Sequence, residues 1–224
     1  MACKILREEL QNDPAARTRF FYEAKLQAAL SHPGVPAVYE LGELADARPF
    51  FTMELIRGET LADLQHRPVS EADVELLPVF HEVCCIVAYA HSQKVIHRDL
   101  KPANIMIDQF GQPRIMDWGL AKRICGAAGE PPLPLTAGTP NYMAPELLRG
   151  DGGLDERTDV FSLGAILYEL LTGKHFRRED YEEIYDTSDP ADELRNLARY
   201  CLAPVERRLK DAQAVEEQLR GILG

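Results

Sequence analysis

The chain has 224 residues, 46% of them hydrophobic, and its 25 Lys and Arg against 36 Asp and Glu give a formal net charge of −11. This composition is typical of a globular protein with one domain or two small lobes, and it excludes collagen-like, disordered and disulfide-scaffold proteins. The acidic balance argues against nucleic acid and anionic membranes as partners. We expect no signal peptide and no transmembrane helix, because the longest apolar-rich stretch, residues 160–173, is too short and contains Glu169.

The first third of the chain predicts three strands and one helix. The opening "MACKIL" is typical of a half-buried strand. Asp13 followed by Pro14 indicates a helix start, and apolar residues recur at helical spacing from Phe20 up to Ser31. Residues 38–44 and 48–55 then predict two more strands before Gly58 breaks the pattern.

Helix signals dominate from Ser70 onward. A Ser-x-x-Asp start at Ser70 leads into an apolar stretch over residues 79–90, and Pro78 is typical of a helix start. Residues 105–107 and 113–116 are separated by a turn that contains Gly111, which predicts a hairpin.

The last part of the chain predicts a loop followed by helices. Residues 126–140 are rich in Pro and Gly and have no periodicity. Almost no charge interrupts the apolar residues at helical spacing between Val160 and Leu170, which predicts a buried helix. Residues 190–201 and 206–223 predict two amphipathic helices, the second with one apolar face formed by Ala212, Val215, Leu219 and Ile222.

The cysteines indicate a reducing environment. They are odd in number, without a CxxC spacing or histidines at zinc-finger distances. A cytoplasmic location is the simplest interpretation, and we predict that each is a buried free thiol, since cysteine is among the most buried residue types. The five are Cys3, Cys84, Cys85, Cys125 and Cys201.

Two polar motifs bracket the predicted hairpin, which brings them to one cleft. "HRDLKPAN" covers residues 97–104, and Asp117 opens "DWG". The oxygen donors Asn104 and Asp117 suit Mg²⁺, which takes one or two carboxylates and leaves the remaining positions to substrate phosphates. Lys101 adds a positive charge for a transferring phosphoryl group, and Asp99 accepts a hydrogen bond from an incoming hydroxyl. These residues predict phosphoryl transfer.

Further motifs extend the pattern over almost the whole chain: "GTPNYMAPE" at residues 138–146, "DVFSLG" at 159–164 and "PVERR" at 204–208. Together they resemble a eukaryotic-type Ser/Thr protein kinase of the Hanks type also found in bacteria. The resemblance implies an α+β, bilobal fold that holds ATP and Mg²⁺ between its lobes. We expect an abbreviated N-terminal lobe at residues 1–57, with a three-stranded sheet and one helix, and a mainly helical C-terminal lobe at 58–224.

The resemblance also assigns roles to residues of the cleft. Asp99 resembles the catalytic aspartate, Lys101 the lysine typical of Ser/Thr specificity, and Thr139 the threonine that contacts both. Asn104 and Asp117 resemble the two metal ligands. The residues expected to bind ATP are Lys4 in "ACK", its ion-pair partner Glu23, and the gatekeeper and hinge residues Met53, Glu54 and Leu55.

Other matched positions have regulatory or structural roles. Arg98 is the type of residue that pairs with a phosphorylated loop, and Thr136 is the candidate phosphosite. We expect Glu146 and Arg207 to form a buried ion pair. His97, Asp159 and Trp118, which stands where the family usually has Phe, are expected to be structural.

Two departures from the family pattern affect the expectations. The family has a Gly-x-Gly-x-x-Gly loop before the Lys strand, whereas three residues precede Lys4. We therefore expect weakened ATP binding, and an exposed sheet edge through which the chain associates. Residues 174–190 are short and acidic, so the substrate-docking surface is expected to be trimmed.

Three functions are compatible with the sequence. The first is an ATP- and Mg²⁺-dependent Ser/Thr protein kinase acting on a protein substrate. The second is a pseudokinase-like scaffold that binds partners through its helical lobe. The third is a small-molecule phosphotransferase, against which "GTPNYMAPE" argues because this segment is typical of kinases with protein substrates.

Overall fold

A computed structural model describes residues 1–65, 72–124, 137–150, 153–177 and 192–224. The first part contains the strands β1 (Ala2–Ile5), β2 (Val38–Glu43) and β3 (Pro49–Met53), which form an antiparallel sheet in the order β1–β3–β2. The helix α1 (Pro14–Ala29) packs on this sheet. The predicted three strands and one helix are therefore confirmed.

The helix α1 begins where the sequence predicts. The Asp13 Oδ1 atom accepts a hydrogen bond from the Ala15 amide at 2.8 Å, and Pro14 occupies the first turn, where it has no hydrogen bond to lose. Phe20 and Ala24 on the buried face of α1 pack against Phe51 of β3, which is fully buried. This small core fixes α1, and with it Glu23, relative to the strand that carries Lys4.

A second three-stranded sheet lies at the centre of the chain. The strands β4 (Gly58–Thr60), β6 (Ile105–Asp108) and β7 (Pro113–Ile115) pair in the order β4–β6–β7, and the short β5 (Val95–Ile96) pairs with β8 (Lys122–Arg123). The predicted hairpin is confirmed, with Ile105 opposite Ile115. At the open end of the hairpin, the Met116 amide donates a hydrogen bond to the Asn104 carbonyl at 2.8 Å. This bond brings the end of "HRDLKPAN" next to the start of "DWG".

Helices form the rest of the described chain. They are α2 (Leu61–Gln65), α3 (Ala72–Ser92), α4 (Pro145–Arg149), α5 (Arg157–Thr172), α6 (Glu193–Leu202) and α7 (Ala212–Leu223). The predicted buried helix is α5, which is buried continuously from Thr158 to Leu167 and packs on α6, while α3 packs on α7. The mainly helical second part agrees with the predicted α+β fold. The division between residues 57 and 58 stays a prediction.

Two helix starts differ from the sequence prediction. Pro78 lies inside α3. Its neighbours Leu77, Phe80 and Val83 are buried in the main core, and the stabilisation from this burial exceeds the cost of the backbone hydrogen bond that proline cannot make. The helix α7 begins at Ala212 and not at residue 206. Its cap is Asp211, whose Oδ1 accepts from the Ala214 amide at 2.9 Å.

The prediction that every cysteine is buried is wrong. Cys84 and Cys201 are buried, but Cys85 is only half-buried and Cys3 is exposed. Cys3 lies in β1, where alternate side chains face solvent. Cys125, Ser70, Thr136 and the acidic residues 178–190 lie outside the described residues.

None of the described helices combines the length and the apolar character needed to cross a bilayer.

Candidate active site

Asp99 lies at the centre of a hydrogen-bonded cluster. Its Oδ1 atom accepts from the Thr139 amide at 2.9 Å and from the Thr139 hydroxyl at 2.8 Å. Its Oδ2 atom accepts from Lys101 Nζ at 2.9 Å and from Asn104 Nδ2 at 3.0 Å. Four donors therefore fix the orientation of one carboxylate, and the predicted group of Asp99, Lys101, Asn104 and Thr139 is brought together.

Lys101 and Thr139 also contact each other. Lys101 Nζ donates to Thr139 Oγ1 at 2.7 Å, so the threonine hydroxyl accepts from the lysine while it donates to Asp99. Asn104 ends a short 3-10 turn, Pro102–Asn104, and its Nδ2 also donates to the Asp99 carbonyl at 2.8 Å. The cluster joins the "HRDLKPAN" motif to the "GTP" segment, with forty residues between Asp99 and Thr139.

Gly138 precedes Thr139 in this contact and was not singled out from the sequence. Its φ of +139° is rarely adopted by other residues, and a Cβ atom there would lie 3.1 Å from the Arg98 carbonyl oxygen and 3.0 Å from Met143 Cε. A side chain at this position would crowd the Arg98 carbonyl immediately before Thr139, the residue that contacts Asp99. The glycine is visible in the "GTP" sequence, but only its positive φ in the structure explains why glycine occupies this position.

Lys4 forms two ion pairs across the first and middle parts of the chain. Its Nζ lies 2.5 Å from Glu23 Oε1 and 3.3 Å from Asp117 Oδ1. Glu23 is almost fully buried, whereas Asp117 is exposed. The predicted ion pair between Lys4 and Glu23 is therefore present, and Asp117 of "DWG" is added to it.

Burial and charge act in opposite directions on these groups. Burial acts to lower the pKa of Lys4, but Glu23 and Asp117 outweigh it and raise that pKa. Burial raises the pKa of Glu23 despite the neighbouring Lys4. Burial also acts to raise the pKa of Asp117, but Lys4 outweighs it and holds that pKa below its ordinary value. At neutral pH the site therefore presents an ammonium group beside an ionised, exposed carboxylate.

A buried aspartate supports the loop that carries Asp99. Asp159 Oδ2 accepts from the His97 amide at 2.7 Å, and its Oδ1 accepts from the Arg98 amide at 2.8 Å. His91 Nε2 lies 3.1 Å from Asp159 Oδ2, and its Nδ1 accepts from the Ala212 amide, so Nε2 is the nitrogen that donates to Asp159. Asp159 has the predicted structural position, but its contact with His91 was not predicted.

His97 and Trp118 are packed against each other, as predicted for structural residues. Their ring centroids are 4.7 Å apart, and both side chains are about 1% exposed. His97 Nε2 lies 3.0 Å from the Met116 carbonyl oxygen, and Trp118 Nε1 donates to the Ile115 carbonyl at 3.0 Å. These contacts hold "DWG" against the loop of Asp99.

The predicted ion pair between Glu146 and Arg207 is wrong in its arginine. Arg208 pairs with Glu146 through two contacts, Nη1 to Oε1 at 2.6 Å and Nη2 to Oε2 at 3.1 Å, while Arg207 is exposed. The Pro204 carbonyl accepts from the amides of both arginines in a tight turn that directs Arg208 inward. Arg208 also lies over the ring of Phe161, 5.1 Å from its centroid.

The remaining predicted residues lie at the end of β3 and beside the loop of Asp99. Met53 ends β3, the Glu54 amide donates to the Ala37 carbonyl at 2.8 Å, and Leu55 is 48% exposed. Arg98 is buried with a φ of +70°. Thr136, its predicted partner when phosphorylated, lies outside the described residues.

The donor atoms of Asn104 and Asp117 fit a magnesium ion. Asn104 uses its Nδ2 for Asp99, which leaves its side-chain oxygen as the donor for a cation. Asp117 offers an ionised and exposed carboxylate. Amide and carboxylate oxygens are the ligands that Mg²⁺ takes from proteins, with phosphate oxygens and water completing its octahedron.

Comparisons with known proteins agree with this geometry. The family model "Protein kinase domain" matches residues 1–223. The chain is 39% identical over 177 residues to the serine/threonine-protein kinase PknB of Mycobacterium leprae, a match that covers 78% of this chain and 28% of the relative. It is 40% identical over 180 residues to PknB of Mycobacterium tuberculosis, with the same two coverages.

A third relative is more distant. It is the serine/threonine-protein kinase PknD of Chlamydia muridarum, 36% identical over 205 residues, with 77% of this chain and 22% of the relative covered. The chain thus spans about a quarter of the length of these curated relatives. Protein kinases in general use ATP and Mg²⁺. The family match, the relatives and the cluster around Asp99 agree: this chain belongs to the protein kinase family, with bacterial serine/threonine kinases among its relatives.

Proposed function

We propose that this chain transfers the γ-phosphoryl group of ATP, with Mg²⁺, to a serine or threonine hydroxyl of a protein. The observation that carries the proposal is the cluster in which Lys101, Asn104 and Thr139 orient the carboxylate of Asp99. Phosphoryl transfer requires little covalent chemistry from the protein, so positioning and charge supply most of the catalysis.

Each residue of the cleft has a role in this reaction. The substrate hydroxyl replaces one of the four donors around the Asp99 carboxylate. Asp99 accepts its hydrogen bond, directs its oxygen at the γ-phosphorus and takes the proton late in the step. As the new O–P bond forms, the bond to the leaving ADP oxygen breaks. Lys101 balances the charge on the transferring group, and Lys4, held by Glu23, binds the first two phosphates of the nucleotide.

The metal and hinge roles extend the same proposal. Bound Mg²⁺ would neutralise charge on the β- and γ-phosphates, and Asn104 and Asp117 would hold it. The backbone of Met53, Glu54 and Leu55 would meet adenine. Protein substrates and a cytoplasmic location complete the proposal, and the pairing of Arg98 with phosphorylated Thr136 stays a prediction.

The sheet edge stays a proposed association surface. β1 pairs with β3 on one side, and its other side has no strand neighbour among the described residues. Unpaired backbone groups at such an edge favour pairing with another chain. Sedimentation velocity over a range of protein concentrations tests this, and a coefficient that does not rise with concentration would argue against self-association.

The test of the function is phosphate transfer from radiolabelled ATP to a generic basic protein. We expect Mg²⁺-dependent transfer by the parent chain and a loss of about 10²- to 10⁴-fold in Asp99→Asn, because the amide no longer accepts the hydroxyl proton. Asp46→Asn is the matched control, since Asp46 is an exposed aspartate whose side chain contacts Arg48. It should transfer at the parent rate.

Three results would count against the proposal. Absence of transfer by the parent at millimolar Mg·ATP would favour the scaffold alternative. Equal transfer by the parent and Asp99→Asn would refute the role of Asp99. Phosphorylation of a small molecule but not of the basic protein would favour the third alternative.

A further inference from the structure

Three side chains with metal-ligating atoms meet between α3 and α7, outside the cleft described above. His81 and Cys85 are four residues apart on α3 and therefore lie on the same face of that helix. Glu216 is on α7, which packs against α3. The ligand atoms of the three lie within 4.8 Å of one another, and all three residues are half-buried.

The arrangement is close to that of a coordinated metal. His81 Nε2 lies 3.0 Å from Glu216 Oε1. A tetrahedral zinc ion holds its nitrogen, oxygen and sulfur ligands about 3.3–3.7 Å apart, given bonds of about 2.0–2.3 Å. Small rotations of the three side chains would therefore enclose one ion.

The donor set selects the class of metal. One imidazole nitrogen, one thiolate and one carboxylate oxygen suit Zn²⁺, which accepts all three ligand types, and they do not suit Mg²⁺, which takes oxygen ligands. We propose that His81, Cys85 and Glu216 bind a zinc ion that links α3 to α7. Nothing in the phosphoryl-transfer site uses these residues, so the inference goes beyond the proposed function.

The surroundings allow entry and a fourth ligand. His81 lies in the wall of a cavity of about 460 Å³, which also includes Glu82, Gln112 and Arg220. A water molecule in this cavity completes the tetrahedron, as in zinc sites with three protein ligands. Without metal, Glu216 pairs with His81 and lies 3.6 Å from Arg220 Nε. When the metal binds, Glu216 leaves its contacts with His81 and Arg220 and coordinates the ion instead.

Zinc at this position would stabilise the folded chain. Its ligands come from two helices, so the site exists only when α7 is docked on α3, and a ligand that binds only the folded state raises its stability. Burial, followed by the charges of Glu82 and Glu216, raises the pKa of Cys85. The thiol is therefore protonated before binding, and zinc must displace its proton.

The test uses Co²⁺ as a spectroscopic substitute for Zn²⁺ in the whole chain. A Cys3→Ser background removes the exposed thiol of β1. We expect one equivalent of Co²⁺ to produce a thiolate-to-cobalt charge-transfer band that one equivalent of Zn²⁺ abolishes. Cys85→Ser should lose the band, and Glu216→Gln should weaken Co²⁺ binding at least tenfold. Asp117→Asn, which alters the proposed magnesium site, should keep the band unchanged.

Several outcomes would overturn the proposal. These are a parent chain without the band, a band that persists in Cys85→Ser, and a Glu216→Gln variant with parental affinity. Co²⁺ binding is measured separately in Glu216→Gln and in Cys85→Ser. If one variant fails to fold, the other still tests the proposal. Loss of the band in Asp117→Asn would contradict a zinc site that is independent of the cleft. None of these results depends on phosphate transfer, so this inference and the proposed function fail separately.

Discussion

At the scale of single residues, the buried pair of Glu146 and Arg208 illustrates how position and not residue type determines a role. The Arg208 side chain has no exposed surface, and its guanidinium also donates to the carbonyls of Ala203 and Arg157 at 3.0 and 2.8 Å. Arg207, its neighbour, has the same chemistry but points to solvent. The two arginines therefore form a matched pair for experiment.

We expect Arg208→Ala to lower the free energy of unfolding by about 3–5 kcal/mol, because it leaves Glu146 as an uncompensated buried charge. Arg207→Ala should change it by less than about 0.5 kcal/mol, as is usual for exposed positions. Urea unfolding followed by circular dichroism measures both. Equal losses in the two variants would show that the pair has been assigned to the wrong arginine.

Asp159 leads to a second prediction, which concerns how the stability of the chain depends on pH. Burial acts to raise its pKa, but the hydrogen bonds that Asp159 accepts from His91 and from the His97 amide outweigh it and hold that pKa below the ordinary value. The carboxylate thus contributes stability above the unfolded-state pKa of about 3.9, and this contribution is lost as the pH falls through the lower folded-state pKa.

Asp159→Asn should therefore be less stable than the parent by about 2–4 kcal/mol at pH 7, because an amide replaces the acceptor of charge-assisted hydrogen bonds. The difference should shrink as the pH is lowered below about 4. Denaturant unfolding at pH 7, 5 and 3.5 provides the measurement. A difference that stays constant or grows toward acid would contradict the stated role of the carboxylate.

At the scale of elements, most of the periodic segments could be predicted. Helix α1 has an Asp-Pro start, α5 is apolar on almost every side, and the hairpin of β6 and β7 has a turn residue, Gly111, at a φ of +79°. The start of α7 could not be predicted from the sequence, because the helical pattern extends back from Ala212 to residue 206. In the structure, the turn at Pro204 and the Asp211 cap end this pattern and set the start of the helix. Pro78 was misplaced because core burial outweighed a local preference.

The loop that carries Gly138 and Thr139 gives a prediction at this scale. Gly138→Ala places a Cβ atom against the Arg98 carbonyl oxygen at 3.1 Å and at an unfavourable φ, a strain of about 1–3 kcal/mol. The loop should relieve it by moving Thr139 away from Asp99, and transfer should fall at least tenfold.

The control for this loop is Gly153→Ala. Gly153 has open space around its missing Cβ, so the substitution should leave transfer unchanged. Steady-state phosphate transfer and thermal unfolding measure both variants. An unimpaired Gly138→Ala would contradict the proposal that the glycine positions Thr139.

At the scale of the whole molecule, Lys4 connects segments that are distant in sequence. It pairs with Glu23 of α1 and with Asp117, 113 residues later in the chain. A nucleotide held by these groups would bind only the folded chain, and it would stabilise that chain by about 2.7 kcal/mol at a hundred times its dissociation constant.

We therefore expect Mg·ATP to raise the thermal midpoint in a concentration-dependent way. Lys4→Met should need at least a tenfold higher Mg·ATP concentration for the same rise in the thermal midpoint, because the nucleotide phosphates lose a cationic partner. Arg7→Met, at an exposed position just after β1, is the control and should respond like the parent. A midpoint that is insensitive to millimolar Mg·ATP in the parent would contradict nucleotide binding by this chain.

The sequence by itself determined the family, the order of the main elements and the residue types of the cleft. Those features depend on local spacing, turn residues and short motifs, which are properties of neighbouring positions. Only the tertiary structure decided that Arg208 and not Arg207 meets Glu146, that His91 supports Asp159, and that His81, Cys85 and Glu216 converge. Such contacts join segments tens of residues apart, and which side chain turns inward depends on how helices and turns pack around it.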